Sequence, residues 1–332
     1  MIEMSEYIKG ADVSTLAEIE KRGRRYFDGD FEGDLFEVLA KNGFNMIRLR
    51  LWNEPYTKDG KAYGAGTNDI FTLINLSKRA INNDMAVLLD FHLSDFFATM
   101  DRQIMPKMWE NLSAPELSVA VYEFVVKTLS FMRLEEVQPT IIQIGNEIDN
   151  GFLWPVGRDI KSEEFNLIMS SAVSGIKSIL PNVPLMIHLG QGTNTAFVTE
   201  WLSSYPTDSF DIVGLSYDPS MGSVAELNQT LFVVEKLFHK STILAEVTCS
   251  GAPDEDSFIQ ELLSTISTNQ YNLGFFYFEP GLIPNKTVIW GTQFALEYTG
   301  EQELSKAKIN PLFDEEGKAK SVLSVIRDFT RT

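Results

Sequence analysis

Short apolar runs and amphipathic stretches alternate along this chain. The runs end at Val13, Leu51, Phe91, Ile144, Leu189, Ser216, Glu246 and Phe278. Runs of this kind read as strands buried on both faces. Between them lie stretches with apolar residues at helical spacing: Asp34 to Lys41, Ile70 to Asn82, Glu116 to Arg133, Phe165 to Leu180, Val224 to His239 and Asp256 to Thr268. A last helix is expected near Ser321 to Phe329. Eight strands alternating with helices predict an α/β fold, a single (β/α)8 TIM barrel domain spanning residues 1–332. A doubly wound open sheet is the alternative, but no Gly-rich phosphate loop follows the first strand. The least regular segments, 53–68, 92–115, 151–162 and 280–308, all follow strand ends and are expected to gather over the barrel mouth. They carry Trp52, Tyr56, Phe96, Phe97, Trp109, Phe152, Trp154 and Trp290, rings that suit the C–H faces of sugars or simply fill loop cores.

Two of the runs deliver a carboxylate at the carboxyl end, where barrel enzymes place their chemistry. In Thr140-Ile-Ile-Gln-Ile-Gly-Asn-Glu147, Gly145 breaks the strand and presents Asn146 and Glu147; Ser241-Thr-Ile-Leu-Ala-Glu246 ends directly on Glu246. Either residue alone reads equally well as a surface or helix-capping carboxylate. Together, at the ends of separate parallel strands, they suit cleavage of a glycosidic bond, which needs an acid/base and a nucleophile.

Charge narrows the partners. Acidic residues outnumber basic ones by 46 to 28, a formal charge of −18, so nucleic acid, anionic membranes and polyuronic substrates are disfavoured, whereas a neutral sugar is compatible. One cysteine and three histidines argue against a disulfide framework and against a zinc site; no metal and no cofactor are expected. Residues 1–10 hold no apolar run, which reads as a cytoplasmic protein, or a secreted one if a leader has been removed. The Asn-x-Ser/Thr triplets at Asn75, Asn111, Asn228 and Asn285 then read as chance.

The motifs resemble one family through nearly the whole chain. They are Gly10-Ala-Asp-Val-Ser14, Asn45-Met-Ile-Arg-Leu-Arg-Leu-Trp-Asn53, Leu88-Leu-Asp-Phe-His-Leu-Ser-Asp95 with Gln103 and Pro106, and Gln143-Ile-Gly-Asn-Glu-Ile148 with Gly151-Phe-Leu-Trp-Pro155 and Gly157. Phe276-Tyr-Phe-Glu-Pro280, Trp290-Gly-Thr-Gln293 and Leu312-Phe-Asp-Glu-Glu-Gly-Lys318 close the series. In this order they resemble the endo-β-1,4-galactanases of glycoside hydrolase family 53, retaining (β/α)8 enzymes of clan A. The resemblance implies that Glu147 is the acid/base, Glu246 the nucleophile, and Asn146 a partner of the sugar 2-hydroxyl. It puts the clan's strand-two arginine at Arg48, holding Glu246 ionised and oriented; Arg50 lies two residues on, on the same strand face. It also lines the cleft with Asp90, His92, Asp95, Trp154, His188, Phe278, Glu279 and Trp290, and puts at Tyr217 a tyrosine that bonds the nucleophile.

Departures from the family bear on the substrate. Its Tyr-Tyr-Pro-Phe/Trp-Trp-His-Gly stretch after strand six is Ser216-Tyr-Asp-Pro-Ser-Met-Gly222 here, and its strand-eight tryptophan is Phe278. After strand three its Tyr-Ser-Asp-x-Trp-Ala-Asp becomes Leu93-Ser-Asp-Phe-Phe-Ala-Thr99. The loop after Pro253 is short, so the calcium that bacterial members often hold there is not expected. The resulting expectation is a retaining hydrolase of β-linked galactan or galacto-oligosaccharides, weakened on long polymer. The alternatives are a retaining clan A hydrolase of another β-linked hexan or an aryl glycoside, and a carbohydrate-binding pseudoenzyme.

Overall fold

A computed structural model of the protein describes residues 6–64, 67–283, 292–299 and 309–331. Eight parallel strands close a barrel in chain order. They are β1 (Ile8–Asp12), β2 (Met46–Leu51), β3 (Ala86–Phe91), β4 (Ile141–Ile144), β5 (Leu185–Leu189), β6 (Ile212–Tyr217), β7 (Ser241–Val247) and β8 (Asn272–Phe278). Every strand end read from the sequence lies within one residue of the observed one. The closed parallel barrel with its helices is the expected (β/α)8 fold.

Side-chain alternation along each strand separates two cores. Outward positions meet the helices in a large apolar layer that includes Ile47, Leu49, Val87, Leu89, Ile142, Ile144, Leu244 and Val247. Inward positions fill the lower barrel with Ile8, Met46, Leu88, Ile141, Met186, Ile212, Ile243 and Phe276. Two residues further along, the same faces turn polar, as Arg48, Asp90, Gln143 and His188, all fully buried. The barrel interior is thus an apolar plug carrying a polar floor at its carboxyl end.

Most helices match the sequence pattern. Asp34 and Glu37, Ser113 and Glu116, and Ser223 and Glu226 form capping boxes that start three of them. The helix Thr195–Ser204 was not foreseen; in so short an element the buried Val198, Trp201 and Leu202 give too few repeats to stand out. Also unforeseen is a small hairpin, Tyr26–Asp28 with Phe31–Gly33. The described parts of the irregular segments do gather at one end. Trp154 bridges Ile104 between the loops after β3 and β4, and Thr292 donates to the carbonyl of Tyr63 between those after β8 and β2. Among the described residues no helix is long and apolar enough to cross a membrane.

Candidate active site

Both carboxylates reach the barrel mouth through irregular backbone. After β4, Gly145 turns at φ 75° and Glu147 itself is left-handed, at φ 46° and ψ 56°. A residue other than glycine is held there only when its surroundings dictate it. Gln103 supplies part of that constraint, donating to the carbonyls of Thr99, Asn146 and Glu147 at 3.0, 2.6 and 3.0 Å. On β7 a bulge intervenes. Leu244 pairs with Leu215 and Phe275, but the next partners of Ser216 and Tyr277 are Glu246 and Val247, so β7 holds one extra residue. Strict alternation would put Glu246 on the outer face with Leu244; the extra residue turns it inward.

Arg48 organises the floor. Its Nη1 donates to Asp12 at 2.7 Å and to Glu246 at 2.8 Å. Nη2 donates to Asp90 at 2.7 Å and Asn146 at 2.6 Å, and Nε to Gln143 at 3.0 Å. Burial would push Asp12 up, but Arg50 and Arg48 outweigh it and hold the carboxyl below the ordinary range. Arg50 pairs with Glu279 and lies beneath the rings of Phe97 and Phe278, 5.1 and 5.4 Å from their centroids.

Among the described residues no cation pairs with Glu147. Its Oε1 accepts from the Ser216 hydroxyl at 2.9 Å and its Oε2 from the Met100 amide at 3.3 Å. Burial pushes its carboxyl up to about 8, aided by the charges of Glu246 and Asp149. Glu246 is pushed up by burial to about 7 although Arg48 opposes it. Arg48 therefore acts in the direction read from the sequence without outweighing burial. Burial raises both carboxyls, and the guanidinium opposes that rise at Glu246, which gives the two groups different environments.

Glu147 and Glu246 open onto one cleft, together with Phe97, Thr99, Met100, Gly190, Ser216, Tyr217, Asp218, Met221, Thr248 and Phe278. Its volume among the described residues is about 280 Å³, just under the ~300–1,000 Å³ usual for small-ligand sites. Gly190 borders Glu147, and a Cβ there would sit 3.1 Å from its carboxyl carbon.

Other expected lining residues are placed differently. His92 is fully buried, 3.0 Å from Asp90 and edge-on to Phe97. Asp95 accepts the backbone N–H groups of Glu54 and Lys107, tying loops together away from the cleft. The Trp154 indole donates to Asn150 and its ring stacks on Arg158, outside the cleft. His188 is fully buried, with both ring nitrogens engaged by protein. The amide of Asn146, also fully buried, donates to the Ala98 carbonyl at 2.9 Å. Glu279 accepts from Thr15 as well as Arg50. The Tyr217 hydroxyl donates to the Gly222 carbonyl at 3.1 Å, so the expected bond to Glu246 is not made. The physical reason is parity: Ser216 faces Glu147, whereas the Tyr217 ring packs into the outer core, although Tyr217 still borders the cleft as expected. Trp290 lies outside the described residues. Sequence reasoning missed Asp12, Gln143, Ser216 and Met100; the first three stand inside the quoted motifs, and only their inward parity marks them. Among the described residues no group of three or more His, Cys, Asp and Glu side chains is arranged to hold a metal.

The profile of glycosyl hydrolase family 53 matches residues 8–257. The chain belongs to that family. An endo-β-1,4-galactanase of Bacillus subtilis is 29% identical over 89% of this chain and 78% of its own. An arabinogalactan endo-β-1,4-galactanase of Thermothelomyces thermophilus is 28% identical over 96% and 98%. The GH53 catalytic domain of Ignisphaera aggregans superposes with a TM-score of 0.87 at 30% identity, covering 98% of this chain and 96% of that one. The protein is a glycoside hydrolase.

The buried cluster gives a stability prediction. Arg48→Met leaves Asp12, Asp90 and Glu246 without their shared cation and should cost ~3–5 kcal/mol in urea unfolding. Arg48→Lys keeps charge without the fork and should recover only part of it. A loss under ~1 kcal/mol in Arg48→Met would show that the cluster does not depend on this residue.

Proposed function

We propose that the protein hydrolyses β-1,4-linked galactan and galacto-oligosaccharides with retention, Glu147 serving as acid/base and Glu246 as nucleophile. One observation carries the reading: in a family 53 barrel, two carboxylates face one cleft from the ends of β4 and β7, and among the described residues only Glu246 of the two touches a guanidinium. The galactanase relatives support the choice of sugar.

The chemistry follows from that asymmetry. Glu147 donates its proton to the glycosidic oxygen as the Glu246 carboxylate attacks the anomeric carbon, forming a glycosyl-enzyme and releasing the leaving sugar. Glu147, now a carboxylate, takes a proton from water as the water's oxygen displaces Glu246. Two inversions give net retention. Arg48 keeps one Glu246 oxygen fixed while the other attacks, and Asp12, Asp90, Gln143 and Asn146 fix Arg48 in turn.

The cleft is small and lined by Phe97, Phe278, Met100 and Met221, with Met221 in the stretch where the family resemblance breaks off. Such a wall offers less stacking area for successive rings than tryptophan and tyrosine would. The enzyme is therefore a poor hydrolase of long galactan relative to short oligosaccharides.

Galactan and galacto-oligosaccharides incubated with the enzyme should release products whose first-formed anomer is β by proton NMR; an α anomer would overturn the assignment. Glu147→Gln and Glu246→Gln should each stay folded and lose at least ~10²-fold in kcat on these substrates. Undiminished turnover in either would reassign the pair.

The pH profile follows from both groups. Glu246 must be ionised, so kcat/KM should rise through about pH 7. Glu147 must be protonated, so it should fall again through about pH 8. The bell reports the pair as a coupled system. A broad maximum near pH 4 would contradict this ordering.

Chain length supplies another comparison. kcat/KM should favour tri- and tetrasaccharides over polymer, and Met221→Trp should improve polymer more than trisaccharide, because remote binding orients the reacting ring. A strong preference of the unaltered enzyme for long galactan would refute it.

A further inference from the structure

A line of hydrogen bonds leads from Glu147 away from the cleft into the barrel: Glu147 Oε1 to Ser216 Oγ at 2.9 Å, Ser216 Oγ to His188 Nε2 at 3.0 Å, His188 Nδ1 to Asn146 Oδ1 at 2.8 Å. Its proton positions can be deduced. Arg48 can only donate, so the Asn146 atom it meets at 2.6 Å is the carbonyl oxygen. The Ala98 carbonyl can only accept, which fixes the Asn146 nitrogen on the other side. His188 Nδ1 faces that fixed oxygen and must carry hydrogen. His188 is held well below its ordinary range by burial, then by Arg48 and His92, so it is neutral and its Nε2 is a bare acceptor.

Ser216 therefore stands between two acceptors with one hydrogen to give. We propose that the Ser216 hydroxyl is a two-position switch that serves both protonation states of Glu147, with His188 as its alternative acceptor; Ser216 and His188 are positioning residues. With Glu147 protonated, the carboxyl proton rests on Ser216 Oγ and the hydroxyl hydrogen points to His188 Nε2. The acid's proton is held there until a glycosidic oxygen replaces Ser216 as its acceptor. Once it has left, the hydroxyl turns and donates to the new carboxylate. No proton is gained or lost by Ser216 or His188. A group that is acid in one step and base in the next needs both forms supported, and a fixed donor would favour the carboxylate alone. The other charged groups near Glu147, namely Glu246 on β7, Asp149 just beyond β4, and Arg48 on β2 acting through Asn146, stay where they are in both positions.

This inference rests on Glu147 being the acid/base, and its test is made without substrate so that the two can fail separately. Glutamate labelled with carbon-13 in the side-chain carboxyl reports the titration of Glu147, assigned by its loss in Glu147→Gln. Ser216→Ala removes the donor to the carboxylate and should raise the midpoint by roughly one pH unit, the scale of one hydrogen bond to a charged group. His188→Leu removes the competing acceptor and should lower it; His188→Gln, which keeps a donor and an acceptor, should restore it. With Ser216→Ala already present, His188→Leu should shift nothing further. A shift in the same direction from both single variants, or a His188 effect that survives Ser216→Ala, would overturn the switch. Where a variant fails to fold, nitrogen-15 spectra of the unaltered protein decide: His188 must be the Nδ1–H tautomer, and an Nε2–H tautomer overturns the proposal. Failure of the acid/base reading shows separately, as undiminished turnover by Glu147→Gln.

Discussion

The site depends on one guanidinium having a partner for each of its donor positions. Arg48 is fully buried at the top of the barrel, and its planar fork joins β2 to Asp12 on β1, Asp90 on β3, Gln143 and Asn146 at β4 and Glu246 on β7. A lysine could supply the charge but not the directions, since an ammonium is a point on a flexible stem. Taking so many charges from water is costly, and the arrangement holds because donors and acceptors are matched at short range. The pairing also works at a distance. By fixing which way the Asn146 amide faces, Arg48 fixes the tautomer of His188, which it does not itself touch.

The same cation makes two chemically identical side chains different. Glu246 accepts directly from Arg48, whereas Glu147 meets only a hydroxyl and a backbone amide. Burial raises both, and the guanidinium offsets part of that rise for Glu246. The difference between the two carboxyls is thus set by placement. Placement depends in turn on two departures from regular backbone, the left-handed turn at Glu147 and the bulge before Glu246. Strain at the first is borne by Gln103, whose amide holds the surrounding carbonyls. The second costs one unpaired position on a strand otherwise buried on both sides.

The walls of the cleft belong to a different level of specification. Phe97 and Phe278 pack edge-on at 6.2 Å over Arg50, so the aromatic rim is continuous with the charged floor beneath it. Met100 and Met221 complete the wall with flexible thioethers that adapt to shape and offer no flat face.

Much of this was legible along the chain. Apolar runs separated by amphipathic stretches determine strands and helices, because burial on two faces or on one leaves a periodic trace, and the closed barrel follows from their alternation. Glu147 and Glu246 were visible because each ends such a run, and Arg48 through the family resemblance of its strand motif. Local sequence does not carry parity at irregular positions. One extra residue in β7 decides whether Glu246 faces the cleft or the helices, and no pattern in Leu-Ala-Glu-Val announces it. The same parity turns Ser216 toward Glu147 and leaves Tyr217 at the border of the cleft without the bond to Glu246 that the resemblance implied. The resemblance puts His92 and His188 in the cleft, yet the third dimension covers them, one beneath Phe97 and the other behind Asn146 and Ser216. Titration order, too, lay beyond the sequence: it comes from the distances between charges brought together from strands far apart in the chain, and those distances exist only once the barrel has closed.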